Sequence, residues 1–506
     1  MLYKNPIIPG FYPDPSICRV GEDYYLVTSS FEYFPGVPVF HSRDLVNWRQ
    51  IGYCLSRPSQ LYLENAKTSR GIWAPTIRHH QGKFYMITTN ISMTPNQKHL
   101  IVSTNDPAGE WSEPVYIDVS GIDPSLFFDD DGTVYFSTTS REGLVQATIN
   151  VETGELTSDL QVIWKGTGGK CAEAPHIYKI NGFYYLMIAE GGTEYGHMIT
   201  IARSDNPWGP FESCPHNPIL THRSHGSPIQ CTGHGDMVQD HGGNWWVVFL
   251  GTRPQSHPFC QHLGRETFLA PVRWNDDGWP VVGLDGRVKL EMEADCLPMH
   301  PWNEPIIRDD FDKPSLGLDW NFIRNPRDAD WSLIEHPGFL RLKGSPVNLN
   351  DENSPAFVGR RQQHFDCRAT VSLDFIPSSP AEEAGLTVFM NPTHHYEIAV
   401  RHGVPGRQQV FVRRRIGMLQ AEIGSYYLPK TNVQLRIDAD PRMYRFSFSL
   451  DGENWQQLGE GEARYLSAEV AGGFTGVYMG MYATGNGRRC HTPADFDWFD
   501  YEVSTI

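Results

Sequence analysis

Gly10-Phe11-Tyr12-Pro13-Asp14-Pro15-Ser16-Ile17, followed by Tyr24-Tyr25-Leu26-Val27, is the first of five copies of one pattern in the first 250 residues. In each copy a Pro or Gly turn opens a strand-like run, and an aromatic-rich strand follows about ten residues later. The others are Ala74-Pro75-Thr76-Ile77 with Phe84-Tyr85-Met86-Ile87, Asp123-Pro124-Ser125-Leu126 with Val134-Tyr135-Phe136, Ala174-Pro175-His176-Ile177 with Phe183-Tyr184-Tyr185-Leu186, and His234-Gly235-Asp236-Met237 with Trp245-Trp246-Val247-Val248. A period of roughly 50 to 60 residues matches one four-stranded blade, so the repeat predicts a five-bladed β-propeller. The first strands of blades line a central channel. Asp14, Asp123, His234 and the Glu173 beside Ala174 are therefore expected to converge on its axis.

The 506 residues are enough for two domains, each with its own core. Aromatics at 12%, 47 Gly and 37 Pro, with few helical periodicities, favour an all-β class rich in tight turns. A formal net charge of -17 argues against a nucleic-acid partner, and the short Arg413-Arg414-Arg415 run does not reverse that. The start, Met1-Leu2-Tyr3-Lys4-Asn5-Pro6, lacks an apolar signal region, and apolar runs such as Trp245 to Leu250 fall far short of a membrane span. Nine cysteines, an odd number with no Cys-x-x-Cys pair, fit reduced thiols and a cytoplasmic address.

Asx-rich turns with an aromatic behind them recur between the copies: Ser42-Arg43-Asp44 before Trp48, Ser103-Thr104-Asn105-Asp106 before Trp111, Ser204-Asp205-Asn206 before Trp208. They suit the outer hairpins of blades. The pattern fades after Trp279-Pro280, and the Pro-punctuated stretch from Leu297 to Pro305 sets the boundary, giving a propeller over 1–300 and a second domain over 306–506. Beyond it, Tyr444-Arg445-Phe446-Ser447-Phe448-Ser449-Leu450 alternates with period two, and with six similar runs it predicts a β-sandwich of jelly-roll or lectin-like type.

An isolated Pro-Asp-Pro such as Pro13-Asp14-Pro15 reads as a turn. Its register changes that reading, because Asp123-Pro124-Ser125 repeats Asp14-Pro15-Ser16 and Glu173 stands one residue earlier in the fourth copy. Three carboxylates aimed into one channel repel one another, which a purely structural role does not explain. Carboxylates beside aromatic walls are the apparatus of glycoside hydrolysis, which needs one ionised and one protonated group. Asp129-Asp130-Asp131-Gly132 reads as a solvated hairpin tip, and His300, His336 and His394-His395 as solvated surface residues.

Phe11 to Ser16, Ser29 to Pro38, Gly71-Ile72-Trp73-Ala74-Pro75, Asp123 to Asp131, Ala172 to Tyr178, Ala189-Glu190-Gly191-Gly192-Thr193 and Leu263-Gly264-Arg265-Glu266-Thr267 occur in this order. Through them the chain resembles glycoside hydrolase family 43, specifically its β-xylosidase group with a C-terminal sandwich. The resemblance implies that Asp14 is the general base, Glu173 the general acid, and Asp123 the residue that raises and orients the acid. It puts Arg265 near the acid and substrate; the plain alternative is a salt bridge to Glu266 or an inter-blade contact. His234 matches an axial histidine that in much of the family helps hold calcium, mostly through waters, although some β-xylosidases bind none, so no cofactor is required and channel calcium is left open. Phe31 and Trp73 are expected as pocket walls. The loop Ala471-Gly472-Gly473-Phe474-Thr475-Gly476 resembles a family segment that reaches across to the propeller, with Phe474 as a further wall.

The activity this implies is an inverting exo-glycosidase that releases terminal β-D-xylose from xylo-oligosaccharides, with α-L-arabinofuranosidase side activity. An α-L-arabinofuranosidase on the same scaffold is the substrate rival, and a non-catalytic sugar-binding propeller the rival of another class. A retaining fructan-cleaving propeller is disfavoured, since Gly10-Phe11-Tyr12-Pro13-Asp14 stands where a Trp-Met-Asn-Asp-Pro opening would be. The expected partner is a small oligosaccharide, with no nucleic acid or membrane, and a homo-oligomer left open.

Overall fold

Tyr24-Tyr25-Leu26-Val27 and its four counterparts all fall in the second strand of an antiparallel sheet: Asp23–Val27, Lys83–Asn90, Val134–Ser140, Phe183–Glu190 and Trp245–Thr252. Their β-branched and aromatic side chains suit a pleated surface covered on both faces. The computed structural model describes residues 2–92, 98–255, 257–302, 307–429 and 431–503. Five such sheets follow one another along the chain, each built outward from a first strand: Ser16–Val20, Ile72–His80, Ile122–Phe128, Glu173–Ile180 and Gln230–Gln239. Each first strand packs against the next, and the fifth against the first, so the five stand in a closed ring. The Asx turns satisfy their own backbone as expected, with the Asp44 carboxylate accepting from the N–H groups of Val46 (2.9 Å) and Asn47 (2.7 Å).

A repeated irregularity opens the first strands. Asp14, Ala74, Asp123, Ala174 and His234 all have left-handed backbone, with φ of 55°, 27°, 55°, 58° and 47°. Such values are uncommon outside glycine, least so for Asp and His, and they gather where function holds them. In three sheets the ladder shows the cause: Trp73 pairs with Thr89, Ile122 with Thr139 and Glu173 with Ala189, and pairing resumes three residues later after a bulge. The bypassed residues include Pro75, Pro124 and Pro175, which have no N–H to contribute to the ladder. The hydroxyls of Thr88 and Thr138 donate to the carbonyls of Trp73 (2.5 Å) and Ile122 (2.8 Å), satisfying groups the bulge frees. Of the five left-handed residues, Asp14, Ala74, Asp123 and His234 line one cavity.

Residues 307–503 form two further antiparallel sheets, of eight and six strands, sharing an apolar core. The period-two reading is seen in Met443–Ser449, where Tyr444, Phe446 and Phe448 are buried in that core. Leu450 lies beyond the strand end and is half-exposed. The junction expected between 300 and 306 falls largely on residues 303–306, outside the described residues. Among the described residues the only α-helix is the single turn Ala468–Ala471.

The two regions are knit together. Phe322–Ile323 pairs with Tyr33–Phe34 as a short antiparallel ladder, and Tyr33 stacks on Tyr478 at 3.9 Å between centroids, a contact worth about 0.5–1.5 kcal/mol beyond its buried area. Two expectations of solvated residues fail, at the His394-His395 pair, both buried, and at Asp129. His395 is buried, 3.0 Å from the Glu397 carboxylate that Arg413 also engages at 2.6 Å, and burial of the Glu397 charge requires those partners. Asp129 is likewise buried, accepting from Lys179 (2.7 Å) and the Tyr184 hydroxyl (2.6 Å).

Candidate active site

The centre of the ring opens into a cavity of about 190 Å³, small beside the 300–1,000 Å³ usual for drug-sized ligands and suited to a single sugar ring. It is lined by Asp14, Phe31, Trp73, Asp123, Glu173, His234, Arg265 and Phe474, all eight residues singled out in the sequence. Ala74, Ile122, Cys171, Gly192 and Thr193 complete the lining.

Asp14 is the carboxylate best equipped to stay ionised. Arg265 Nη1 donates to its Oδ1 at 2.8 Å, the Ser29 hydroxyl donates to its Oδ2 at 2.6 Å, and His234 Nδ1 lies 3.6 Å from Oδ1. Burial alone would raise its pKa, but Arg265, then His234 and Ser29, outweigh that and hold the carboxyl below its ordinary range. Arg265 thus pairs with Asp14, joining the fifth sheet to the first, while Glu266 pairs with Arg253 at 2.7 Å, so the Glu266 alternative for Arg265 does not apply. Ser29 also accepts from the Ala74 N–H at 2.7 Å, fixing the base against the second sheet.

Glu173 and Asp123 behave oppositely. Burial first, and then the negative charge of Asp14, push Glu173 up to about 7, against the pull of Arg265. Asp123 is raised by burial, by Glu173 and by Asp14. One guanidinium faces three carboxylates, the buried Asp14 and Asp123 and the partly buried Glu173, so the Asp123–Glu173 pair retains a proton near neutrality and titrates as a unit. The segment preceding Glu173 is wrapped around the buried Glu190 carboxylate, which accepts from the N–H groups of Thr167 and Gly169, each at 3.0 Å, and from the Thr200 hydroxyl at 2.6 Å.

The walls are aromatic. Phe31, Trp73 and Phe474 form a cluster with centroid separations of 6.1, 5.6 and 6.3 Å, offering faces to the C–H surfaces of a sugar. Phe474 comes from the C-terminal sandwich region. Its loop is pressed onto the first region, where a Cβ at Gly476 would stand 2.4 Å from the Leu263 carbonyl oxygen, and Arg265 Nη2 donates to the Phe474 carbonyl at 3.4 Å.

Beneath the cavity lies a second layer that the sequence reading did not identify. Two residues on from each left-handed position stand Ser16, Thr76, Ser125, His176 and Asp236. Ser16 Oγ donates to Asp236 at 2.7 Å and Ser125 Oγ lies 3.0 Å from His176 Nδ1. The Arg78 guanidinium joins Asp236 at 2.7 Å and His176 at 3.0 Å, with the Tyr178 hydroxyl on Asp236 at 2.6 Å. Burial would raise Asp236, yet Arg78 above all keeps it far below the carboxylate range. A period-two reading along the first strands marks this layer; the Arg78–Asp236 pairing across the ring has no sequence signal.

Calcium takes 6 to 8 oxygen ligands, so an ion held beside His234 would draw most of them from water. His234 offers a nitrogen whose nearest carboxylate, Asp14, already serves Arg265 and Ser29, and the layer below is occupied by a guanidinium. Among the described residues no group of three or more His, Cys, Asp or Glu side chains is spaced to hold a metal.

An ionised carboxylate, a proton-holding carboxylate pair and an aromatic-walled pocket for one sugar define a site for cleaving glycosidic bonds. Residues 3–280 match the model of glycosyl hydrolases family 43, and residues 308–502 match the β-xylosidase C-terminal concanavalin A-like domain. The chain is 46% identical over 503 residues to a non-reducing end α-L-arabinofuranosidase of Bacteroides ovatus, covering 99% of this chain and 94% of that one. It is 40% identical to a xylosidase/arabinosidase of Butyrivibrio fibrisolvens, covering 99% of both. A solved xylan β-1,4-xylosidase of Bacillus halodurans, 36% identical, superposes with a TM-score of 0.94 over 99% of this chain and 100% of that one. The chain belongs to glycosyl hydrolase family 43.

Proposed function

We propose that the protein is an inverting exo-glycosidase that removes a terminal β-D-xylose from short xylo-oligosaccharides. The carrying observation is the opposed electrostatics of Asp14 and Glu173 across one sugar-sized cavity. Asp14 takes a proton from water as its oxygen attacks the anomeric carbon. Glu173 gives its proton to the glycosidic oxygen as the bond to the leaving sugar breaks. Asp123 keeps the acid protonated and oriented, and Arg265 keeps the base ionised and binds a sugar hydroxyl. Phe31, Trp73 and Phe474 hold the ring, and His234 supports Asp14.

The five sheets are read as blades of a propeller over residues 1–300, and the two larger sheets as a sandwich domain over 306–506. The closed ring of first strands and the separate family matches support this. A cavity of about 190 Å³ with Phe474 in its wall has room for one sugar, which favours attack on chain ends. No metal takes part in this reading, in which the His234 imidazole stands 3.6 Å from the Asp14 carboxylate that Arg265 and Ser29 also engage; dialysis against EDTA is expected to leave activity unchanged. Among the described residues no helix is long and apolar enough to cross a membrane. The nine unpaired cysteines support a reducing, cytoplasmic setting, which cell fractionation would test.

The 46% identity to an α-L-arabinofuranosidase favours a second reading, in which the same residues act on a terminal arabinofuranoside. Side-by-side kcat/KM on 4-nitrophenyl β-D-xyloside and α-L-arabinofuranoside decides between them. A higher value on the arabinofuranoside reverses the preference. Turnover of neither, with sugar binding retained, leaves a non-catalytic sugar-binding protein.

A further inference from the structure

We propose that Ser69 is a positioning residue that sets the three aromatic walls as one unit and couples the C-terminal sandwich to sugar binding. The inference rests on the glycosidase reading above. Ser69 is 5% exposed and is not part of the cavity lining. It stands just before Ile72–His80 with left-handed backbone, φ 58°, an uncommon conformation for serine.

That conformation directs three hydrogen bonds to three different parts of the pocket. The Ser69 N–H donates to Glu32 Oε2 at 3.0 Å, the Ser69 carbonyl accepts from the Trp73 indole N–H at 3.1 Å, and Ser69 Oγ accepts from the Phe474 N–H at 2.9 Å. Phe31 is held in the same assembly, being adjacent to Glu32 and exchanging backbone hydrogen bonds with Ile72 at 2.9 and 3.1 Å. The packing leaves little slack. A Cβ at Gly473 would stand 2.5 Å from Ser69 Oγ, and one at Gly71 would stand 2.2 Å from the Phe31 carbonyl oxygen. Both glycines also have left-handed φ, 87° and 93°. Phe474 crosses from the sandwich at this point, so a shift of the sandwich loop would reach Trp73 and Phe31 through Ser69.

Walls that grip the ring equally in ground and transition states set KM more than kcat. Ser69→Gly removes Oγ while keeping a residue at ease with positive φ. On the scale of one lost buried hydrogen bond, KM is expected to rise about 3- to 10-fold with kcat within about twofold. The decisive experiment is a double-mutant cycle in the full chain between Ser69→Gly and Phe474→Ala, read by KM, kcat and xylose affinity from calorimetry. Once Phe474→Ala has removed the ring, Ser69→Gly should cost less than about half its single-mutant effect, since the two act through one contact. Additive effects, or equal losses in kcat and KM, overturn the proposal. Should Ser69→Gly not fold, Gly473→Ala attacks the same contact from the sandwich side and must give the same KM-selective, non-additive signature. Absence of turnover by the unmutated protein on either glycoside would sink the glycosidase reading alone, because the calorimetric cycle still reports the walls; absence of sugar binding would sink both.

Discussion

Asp14→Asn should lower kcat/KM on xylobiose and on aryl xylosides alike by roughly 10²- to 10⁴-fold, the usual contribution of a positioned general base. The loss is indifferent to the leaving group because water activation is needed whatever departs. A second signature follows from the charges. In the unmutated enzyme Glu173 must be protonated, so activity should fall as pH rises through about 7, where burial and Asp14 have placed it. Asp14 must be ionised, and its lowered pKa pushes the acidic limb below the ordinary carboxylate range. Removing the Asp14 charge takes away one of the influences that raise Glu173, so the basic limb of the residual activity should move to lower pH. A pH profile of kcat/KM for both proteins checks this, with limbs assigned to the coupled Asp123–Glu173 pair. A basic limb that stays put, or a loss confined to poor leaving groups, would remove Asp14 from the base's role.

Glu173→Ala is expected to show the complementary pattern. Xylobiose, whose leaving sugar hydroxyl needs a proton, should lose roughly 10²- to 10⁴-fold, whereas 4-nitrophenyl β-D-xyloside, whose phenolate departs unaided, should lose much less. Comparing kcat on the two substrates is the test. Equal losses would make Glu173 a structural carboxylate and return the acid's task to Asp123.

Much of this site was legible in the sequence because propeller-type repeats reduce a three-dimensional question to register. Asp14-Pro15-Ser16 and Asp123-Pro124-Ser125 share one local feature, a left-handed residue before a proline, and equal local structure in a closed ring places their side chains alike. Glu173 was visible as a carboxylate one residue off that register, and the structure gives the left-handed position itself to Ala174. Phe474 was reached through the resemblance of its loop to a family segment, not through its composition.

The rest depends on contacts between distant segments. Arg78 and Asp236 lie 158 residues apart and each looks ordinary in its own strand. Ser69 and Glu32 sit in irregular loops where no period marks the inward side chain. His395 and Asp129 were misread as solvated because their compensating partners, Glu397 with Arg413 and Lys179 with Tyr184, are recognisable only when the sheets are assembled.

The central claim is single displacement, with Asp14 activating water and not attacking the sugar. Proton NMR of the first xylose released from a β-xyloside, recorded before mutarotation, tests it most directly. The account predicts that the α-anomer accumulates first; initial formation of the β-anomer would establish retention and recast Asp14 as a nucleophile.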